Sequence, residues 1–203
     1  AVQNPILHFY RHKEVGYAIR ATSAEFVLTP GTWNGFDFTA MVDELVADLP
    51  DRPVVIDVFA DLPDGDPGRL ADIPAPTDGD EVRWIYFTSG TTSDPKGVRH
   101  TDRTLITGAN GLAVALDMSG DDVGSIAFPF SHIAGPDYFG TMLIAGFPAV
   151  LFEAFVPATA IPVLAANGVT MVGGGTAFYQ MYLAEQRKDP DAPIIPTLRK
   201  MSG

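Results

Sequence analysis

The chain has no cysteine. Disulfides, thiolate zinc sites and a cysteine nucleophile are therefore excluded, and a reducing compartment such as the cytoplasm suits it. Basic residues are scarce as well: 13 Lys and Arg stand against 25 Asp and Glu, for a net charge of -12. With no basic stripe to displace counterions, nucleic-acid binding is excluded. No Cys or HxxxH spacing joins His8, His12 and His100 into a metal site. One stretch, 154–184, lacks Asp, Glu, Lys and Arg and is long enough to cross a bilayer. Pro157, Pro162, Asn167 and Gly173-Gly174-Gly175 break it into short pieces, which predicts buried helices and strands and no transmembrane segment.

What is present suffices for a core: 203 residues, 46% of them hydrophobic. The acids concentrate in 57–81, which holds eight of them against one base together with Pro63, Gly65, Pro67, Gly68, Pro74, Pro76 and Gly79. That composition predicts an exposed connector, and the acids lack the ligand spacing of an EF-hand. Three regions follow: an α/β portion over 1–60, the connector over 61–80, and a second α/β portion over 81–203.

Periodicity fills these regions. Phe38, Met41, Val42, Leu45, Val46 and Leu49 share one helical face, which Pro50 and Pro53 end. Further helices are predicted over 11–22, from Thr101 or Asp102 to 117, and over 137–145, 158–166 and 176–187. Strands are predicted over 25–29, 54–59, 82–88, 123–128, 149–152 and 169–172. Strands alternating with helices imply a layered α/β fold with mostly parallel sheets flanked by helices.

The most informative segment is Tyr86-Phe87-Thr88-Ser89-Gly90-Thr91-Thr92-Ser93-Asp94-Pro95-Lys96-Gly97-Val98. Hydroxyls and free backbone N–H groups point at anionic oxygens, glycine lets the main chain come close, and an ammonium balances charge: this is a way to hold a polyphosphate. A Walker A loop would place its lysine directly before Ser or Thr, and Lys96 precedes Gly97 and Val98. The plain alternatives are a Ser/Thr/Gly turn joining two strands and, for Lys96, an ordinary surface cation.

The order Ser-Gly-Thr-Thr-x-x-Pro-Lys-Gly resembles the phosphate loop of the adenylate-forming (AMP-binding) superfamily, most closely its acyl-CoA synthetases. One position departs: Ser93 stands where that family usually has glycine, which leaves open whether the site needs positive φ or Ser93-Asp94-Pro95 forms a different turn. Asn4-Pro5-Ile6 with residues 11–19, Phe128-Pro129-Phe130-Ser131-His132-Ile133-Ala134-Gly135, and Leu198-Arg199-Lys200-Met201-Ser202-Gly203 resemble further segments of the family in the right order. The likeness implies part of the large N-terminal domain of a longer enzyme, because the family's adenine segment and terminal-domain lysine follow the point where Gly203 stands.

The resemblance implies roles. Thr88, Ser89, Gly90, Thr91, Thr92 and Lys96 would grip ATP. His132 would position the substrate carboxylate and gate the acyl pocket; in an apolar setting, a structural histidine is the plain alternative. Gly174, Gly175 and Thr176 would line the pocket, with Tyr179 one helical turn on, facing either the same cavity or the core. The expected chemistry is acyl-AMP formation from an acid and ATP, with Mg2+ neutralising phosphates and CoA as the thiol co-substrate. A non-catalytic structural or weak nucleotide-binding module, another adenylating enzyme and a phosphotransferase are the competing readings.

Overall fold

The computed structural model describes residues 1–74, 77–88 and 95–202. Amphipathic periodicity shapes its first part. Helix α1 (His12–Thr22) ends at Ser23, whose left-handed φ of 48° lets its N–H turn back to Arg20 O. Strand β1 (Phe26–Thr29) leads to a tight hairpin of β2 (Thr32–Trp33) and β3 (Phe36–Asp37), turned by Asn34 and Gly35 at φ 50° and 76°. Asn-Gly is the sequence that such a doubly positive turn demands. Asp37 caps α2 (Phe38–Val46), its Oδ1 accepting Ala40 N–H at 2.9 Å. The predicted face of α2 packs on Val15 and Ile19 of α1 as one core cluster. Strand β4 (Val54–Asp57) then pairs parallel with β1, Phe26 opposite Val54 and Thr29 opposite Asp57.

The acidic stretch is exposed from Phe59 to Pro74 and holds one short 3-10 helix, Pro67–Asp72. It leads to β5 (Val82–Phe87), which pairs antiparallel with β6 (Gly97–Thr101). Gln3 lies along the other edge of β5, its N–H on Arg83 O at 2.7 Å and its carbonyl taking Ile85 N–H at 2.8 Å. Helix α3 (Asp102–Ala115) starts from a reciprocal cap: Thr101 Oγ1 accepts Thr104 N–H at 3.1 Å and Thr104 Oγ1 accepts Thr101 N–H at 3.0 Å. Strand β6 was not predicted. It is largely exposed, so its residues carry no apolar alternation to reveal it.

The rest alternates strand and helix: β7 (Gly124–Ile126), α4 (Ala134–Ala145), β8 (Ala149–Leu151), α5 (Pro157–Ala166), β9 (Met171–Gly173), α6 (Thr176–Gln186) and β10 (Lys200–Ser202). β7 pairs parallel with β8, and β9 with β10. The two ladders meet at Val123 O, which accepts the N–H groups of Thr170 and Met171 at 2.9 and 3.1 Å. Met118, Ile126, Phe128, Tyr138 and Met171 form one core cluster here; Leu164, Val169, Val172 and Tyr182 form another. Three of the five ladders are parallel, as the alternation predicted. No helix among the described residues is long and apolar enough to cross a membrane.

Among the described residues one charge is fully buried, on the carboxylate of Asp122 just before β7. Its Oδ1 takes Arg199 Nη2 at 2.7 Å and Thr170 Oγ1 at 2.9 Å; its Oδ2 takes Lys200 Nζ at 2.7 Å and Ser119 N–H at 3.0 Å. Burial alone would raise its pKa, but Lys200, Arg199, Ser119 and Thr170 together hold it well below the usual carboxylate range. A folded-state pKa depressed in this way contributes stability above the unfolded value of about 3.9, and that contribution fades as pH falls through it. We therefore expect urea midpoints of the wild type to fall below about pH 5, and those of Asp122→Asn to fall less steeply. At neutral pH the substitution should cost about 3 kcal/mol, the low end for breaking a buried pair, because Arg199 is half-exposed.

Candidate functional site

Strands β5 and β6 carry the hydroxyl- and glycine-rich loop at their tip. Thr88 closes its neck: the N–H donates to Lys96 O at 3.0 Å and Oγ1 at 3.4 Å. Ser89, Gly90, Thr91 and Thr92 of the predicted phosphate-binding set lie outside the described residues, as does Ser93. Lys96 is exposed at the far side of the neck. The glycine after it has a packing reason, since a Cβ on Gly97 would sit 3.0 Å from Ile85 Cγ2 and 3.2 Å from Phe87 Cε1. The strands on either side of this segment, β5 and β6, are antiparallel.

Beneath the hairpin, Tyr86 is buried beside His100, ring centroids 6.0 Å apart, with no hydrogen-bond partner for its hydroxyl among the described residues. Burial, then the Asp137 charge, pushes that hydroxyl up to about 12. Burial also raises the pKa of Asp137 itself, against the lowering pull of His100. These groups mark the seam between the loop-bearing hairpin and α4.

The second segment leaves the C-terminal end of β7. His132 N–H donates to Pro129 O at 3.0 Å and its carbonyl accepts Gly135 N–H at 2.8 Å, a turn that starts α4. The ring is exposed, and Nδ1 accepts Ala134 N–H at 3.2 Å. An accepting Nδ1 puts the proton of the neutral ring on Nε2. His132 is thus not the buried core histidine that its apolar neighbours in sequence suggested. Gly135 is required where it stands: a Cβ there would lie 2.5 Å from Phe130 Cα.

The third segment leaves β9. Gly173 is the last residue of that strand and not the first of the turn, one residue later than predicted. Gly174 has φ +147°, and its N–H donates to Ser202 O at 3.1 Å. Gly175 caps α6 and has nothing within 4 Å of the place a Cβ would take. Thr176 follows, exposed. Tyr179 turns its hydroxyl to Ser202 O of β10, so it braces the turn and does not share an exposed face with Thr176.

β7 and β9 run the same way, since Val123 lies by Thr170 at one end and the Phe128 ring comes within 3.3 Å of a Cβ on Gly173 at the other. Both segments therefore emerge at the carboxyl ends of neighbouring strands, where open α/β sheets bind ligands. No hydrogen bond or ion pair among the described residues joins Thr88 or Lys96 to them. A separate open cleft of about 450 Å³ lies between the ends of α1 and α2, lined by Arg20, Ser23, Leu49 and Arg52. It holds none of the predicted residues.

The profile of the AMP-binding enzyme family matches residues 1–203. The chain belongs to that adenylate-forming family. It is 26% identical to a salicyl-AMP ligase / salicyl-S-ArCP synthetase of Mycobacterium tuberculosis, over 96% of this chain and 36% of that protein. It is 25% identical to a medium-chain fatty-acid–CoA ligase of Escherichia coli, over 94% and 35%. The chain thus spans about a third of the length of these relatives. Its fold superposes on o-succinylbenzoate CoA synthetase of Bacillus subtilis, solved with ATP and magnesium, with a TM-score of 0.74 and 21% identity, over 95% of this chain and 37% of that one. Within this AMP-binding enzyme, sequence reasoning missed Tyr179 as a brace and Asp122 as an anchor. Both act through partners distant in sequence and leave no local pattern.

Gly135→Ala should destabilise the chain by about 1–3 kcal/mol, because backbone and not a flexible side chain must yield. Thermal unfolding reads it; an unchanged melting temperature would contradict the close approach to Phe130.

Proposed function

We propose that the intact gene product is an ATP-dependent acid–thiol ligase of the acyl-CoA synthetase type. The observation that carries this reading is the emergence of His132 and the Gly174-Gly175-Thr176 turn at one edge of a parallel sheet, in a chain of the AMP-binding family. A carboxylate resists thiol attack because its carbon is electron-rich and it has no good leaving group. Its oxygen attacks the α-phosphorus of ATP, the bond to the bridging oxygen breaks, and pyrophosphate leaves with acyl-AMP behind. The sulfur of CoA then adds to the acyl carbon, AMP departs, and the thiol proton is released to solvent.

Each residue has a task in this scheme. The loop Thr88, Ser89, Gly90, Thr91, Thr92 and Lys96 holds the β- and γ-phosphates and lines up the α-phosphate. Lys96 fits an anion, being an exposed ammonium at the neck of a loop rich in hydroxyls. Mg2+ would neutralise the phosphates held by this loop. His132 Nε2–H donates to the substrate carboxylate; no base is needed, since the acid is already ionised at neutral pH. Gly174 and Gly175 leave room for the acyl group. The 61–80 connector separates two α/β portions on either side of the site. Salicyl-AMP, fatty-acid and succinylbenzoate ligases all appear among the relatives, so the acid's class stays at aryl or fatty. The cytoplasm suits the cysteine-free chain. A non-catalytic structural or weak nucleotide-binding module is the competing reading for the 203 residues.

The test is acid-dependent ATP–pyrophosphate exchange across a panel of aryl and fatty acids. Exchange by the intact gene product with none by the 203-residue chain is expected; ADP release, or no exchange with any acid, would defeat the ligase reading. Lys96→Ala should raise KM for ATP about tenfold to a hundredfold, the worth of one charge-assisted contact. His132→Ala should slow exchange by a similar factor with little change in melting temperature. Gly175→Ala is the cleanest probe of the pocket. With φ -74° and open space around it, it should cost no more than about 1 kcal/mol, for a poorer helix cap, yet raise KM for the acid.

A further inference from the structure

Asp122 takes no part in the proposed chemistry, yet it is the most heavily bonded buried charge among the described residues. Its two cations, Arg199 and Lys200, lead into β10, and their main-chain N–H groups both donate to Thr170 O, at 2.9 and 3.0 Å. Lys200 Nζ also reaches Asp117 O. The strand that follows is three residues long and leaves Met201 half-exposed, so it buries too little apolar surface to fix its own alignment. Its register is nevertheless specific: Lys200 opposite Met171, Ser202 opposite Gly173. Ser202 O then receives two donors from the candidate site, Gly174 N–H and the Tyr179 hydroxyl. Ser202 Oγ lies 2.8 Å from where a Cβ on Gly173 would be, so only glycine at the end of β9 leaves room for it.

We propose that Asp122 is a positioning residue for the acid-binding turn: by fixing Arg199 and Lys200 it sets the register of β10, and Ser202 then holds Gly174 and Tyr179 in place. The inference rests on the adenylating reading for its functional consequence, but not for its structural one. Shifting a short strand by one residue turns every side chain to the other face and carries Ser202 O away from Gly174. Gly174 has a backbone angle that few residues adopt, so it needs an external tie. A buried, multiply bonded charge contributes little net stability over an apolar core; what it supplies is register.

The experiment uses Asp122→Asn, Arg199→Ala and Arg199→Lys in the intact gene product. Two readouts are taken: amide exchange at Gly174, and separate KM values for acid and ATP. Asp122→Asn and Arg199→Ala should speed Gly174 exchange about tenfold or more relative to amides elsewhere in the sheet. They should raise KM for the acid about tenfold while KM for ATP moves less than about twofold. Arg199→Lys, which keeps the charge but loses the paired Nε and Nη2 contacts to Asp122, should restore part of the loss. Unchanged Gly174 exchange, or equal rises in both KM values, would overturn the proposal. If Asp122→Asn fails to fold, Arg199→Ala decides, because that side chain is half-exposed and its removal leaves the core intact. If the wild type shows no acid-dependent exchange of pyrophosphate, the ligase reading falls, and Gly174 exchange alone upholds or overturns the positioning role.

Discussion

The second half of the molecule is organised around a buried carboxylate that two cations, a hydroxyl and a backbone amide hold in place. Asp122 sits where the chain enters β7, and its partners come from the loop before it, from Thr170 at the start of β9, and from Arg199 and Lys200 at β10. Three stretches far apart in sequence therefore share one anion. Taking a charge out of water is tolerable only with this many partners, and the requirement for all of them at once fixes how the stretches meet. The sheet edge that carries the candidate site inherits its alignment from that requirement.

Glycine marks the places where the site demands close approach. Gly135 lets the start of α4 lie against the Phe130 backbone, and Gly97 lets β6 lie over Ile85 and Phe87. Gly174 is different: its backbone angle, not its surroundings alone, excludes a side chain. Gly175 has neither constraint, so its lack of a side chain leaves open space beside the turn. Neighbouring glycines in one motif thus have different physical reasons for being there.

The seam under the loop-bearing hairpin has an electrostatic character of its own. Tyr86 is buried with an unpartnered hydroxyl, and Asp137 faces it and His100 from α4. Burial and the Asp137 charge both disfavour ionising Tyr86, while His100 favours the charged form of Asp137. Helix α4 touches this seam on one side and carries His132 at its start on the other, so the two segments that bear candidate residues share one rigid element.

Much of this was legible along the chain. The helical face from Phe38 to Leu49, the alternation of strands and helices, the Thr101 cap and the hydroxyl- and glycine-rich motif from Thr88 to Lys96 are local patterns, and local patterns express local physics: side-chain period, capping and turn chemistry. Asn34-Gly35 was a hairpin signal of the same kind that went unread. By itself, the sequence determined the order of the six helices and of β1, β4, β5, β7, β8 and β9, the mostly parallel α/β class and the family likeness. Tertiary structure alone decided that His132 is exposed with its Nδ1 tied to Ala134, that Tyr179 braces Ser202, and that Asp122 pairs with residues some 77 positions away. Those facts depend on which strands become neighbours. Strand adjacency is set by the summed burial of the whole chain, and no single segment carries it.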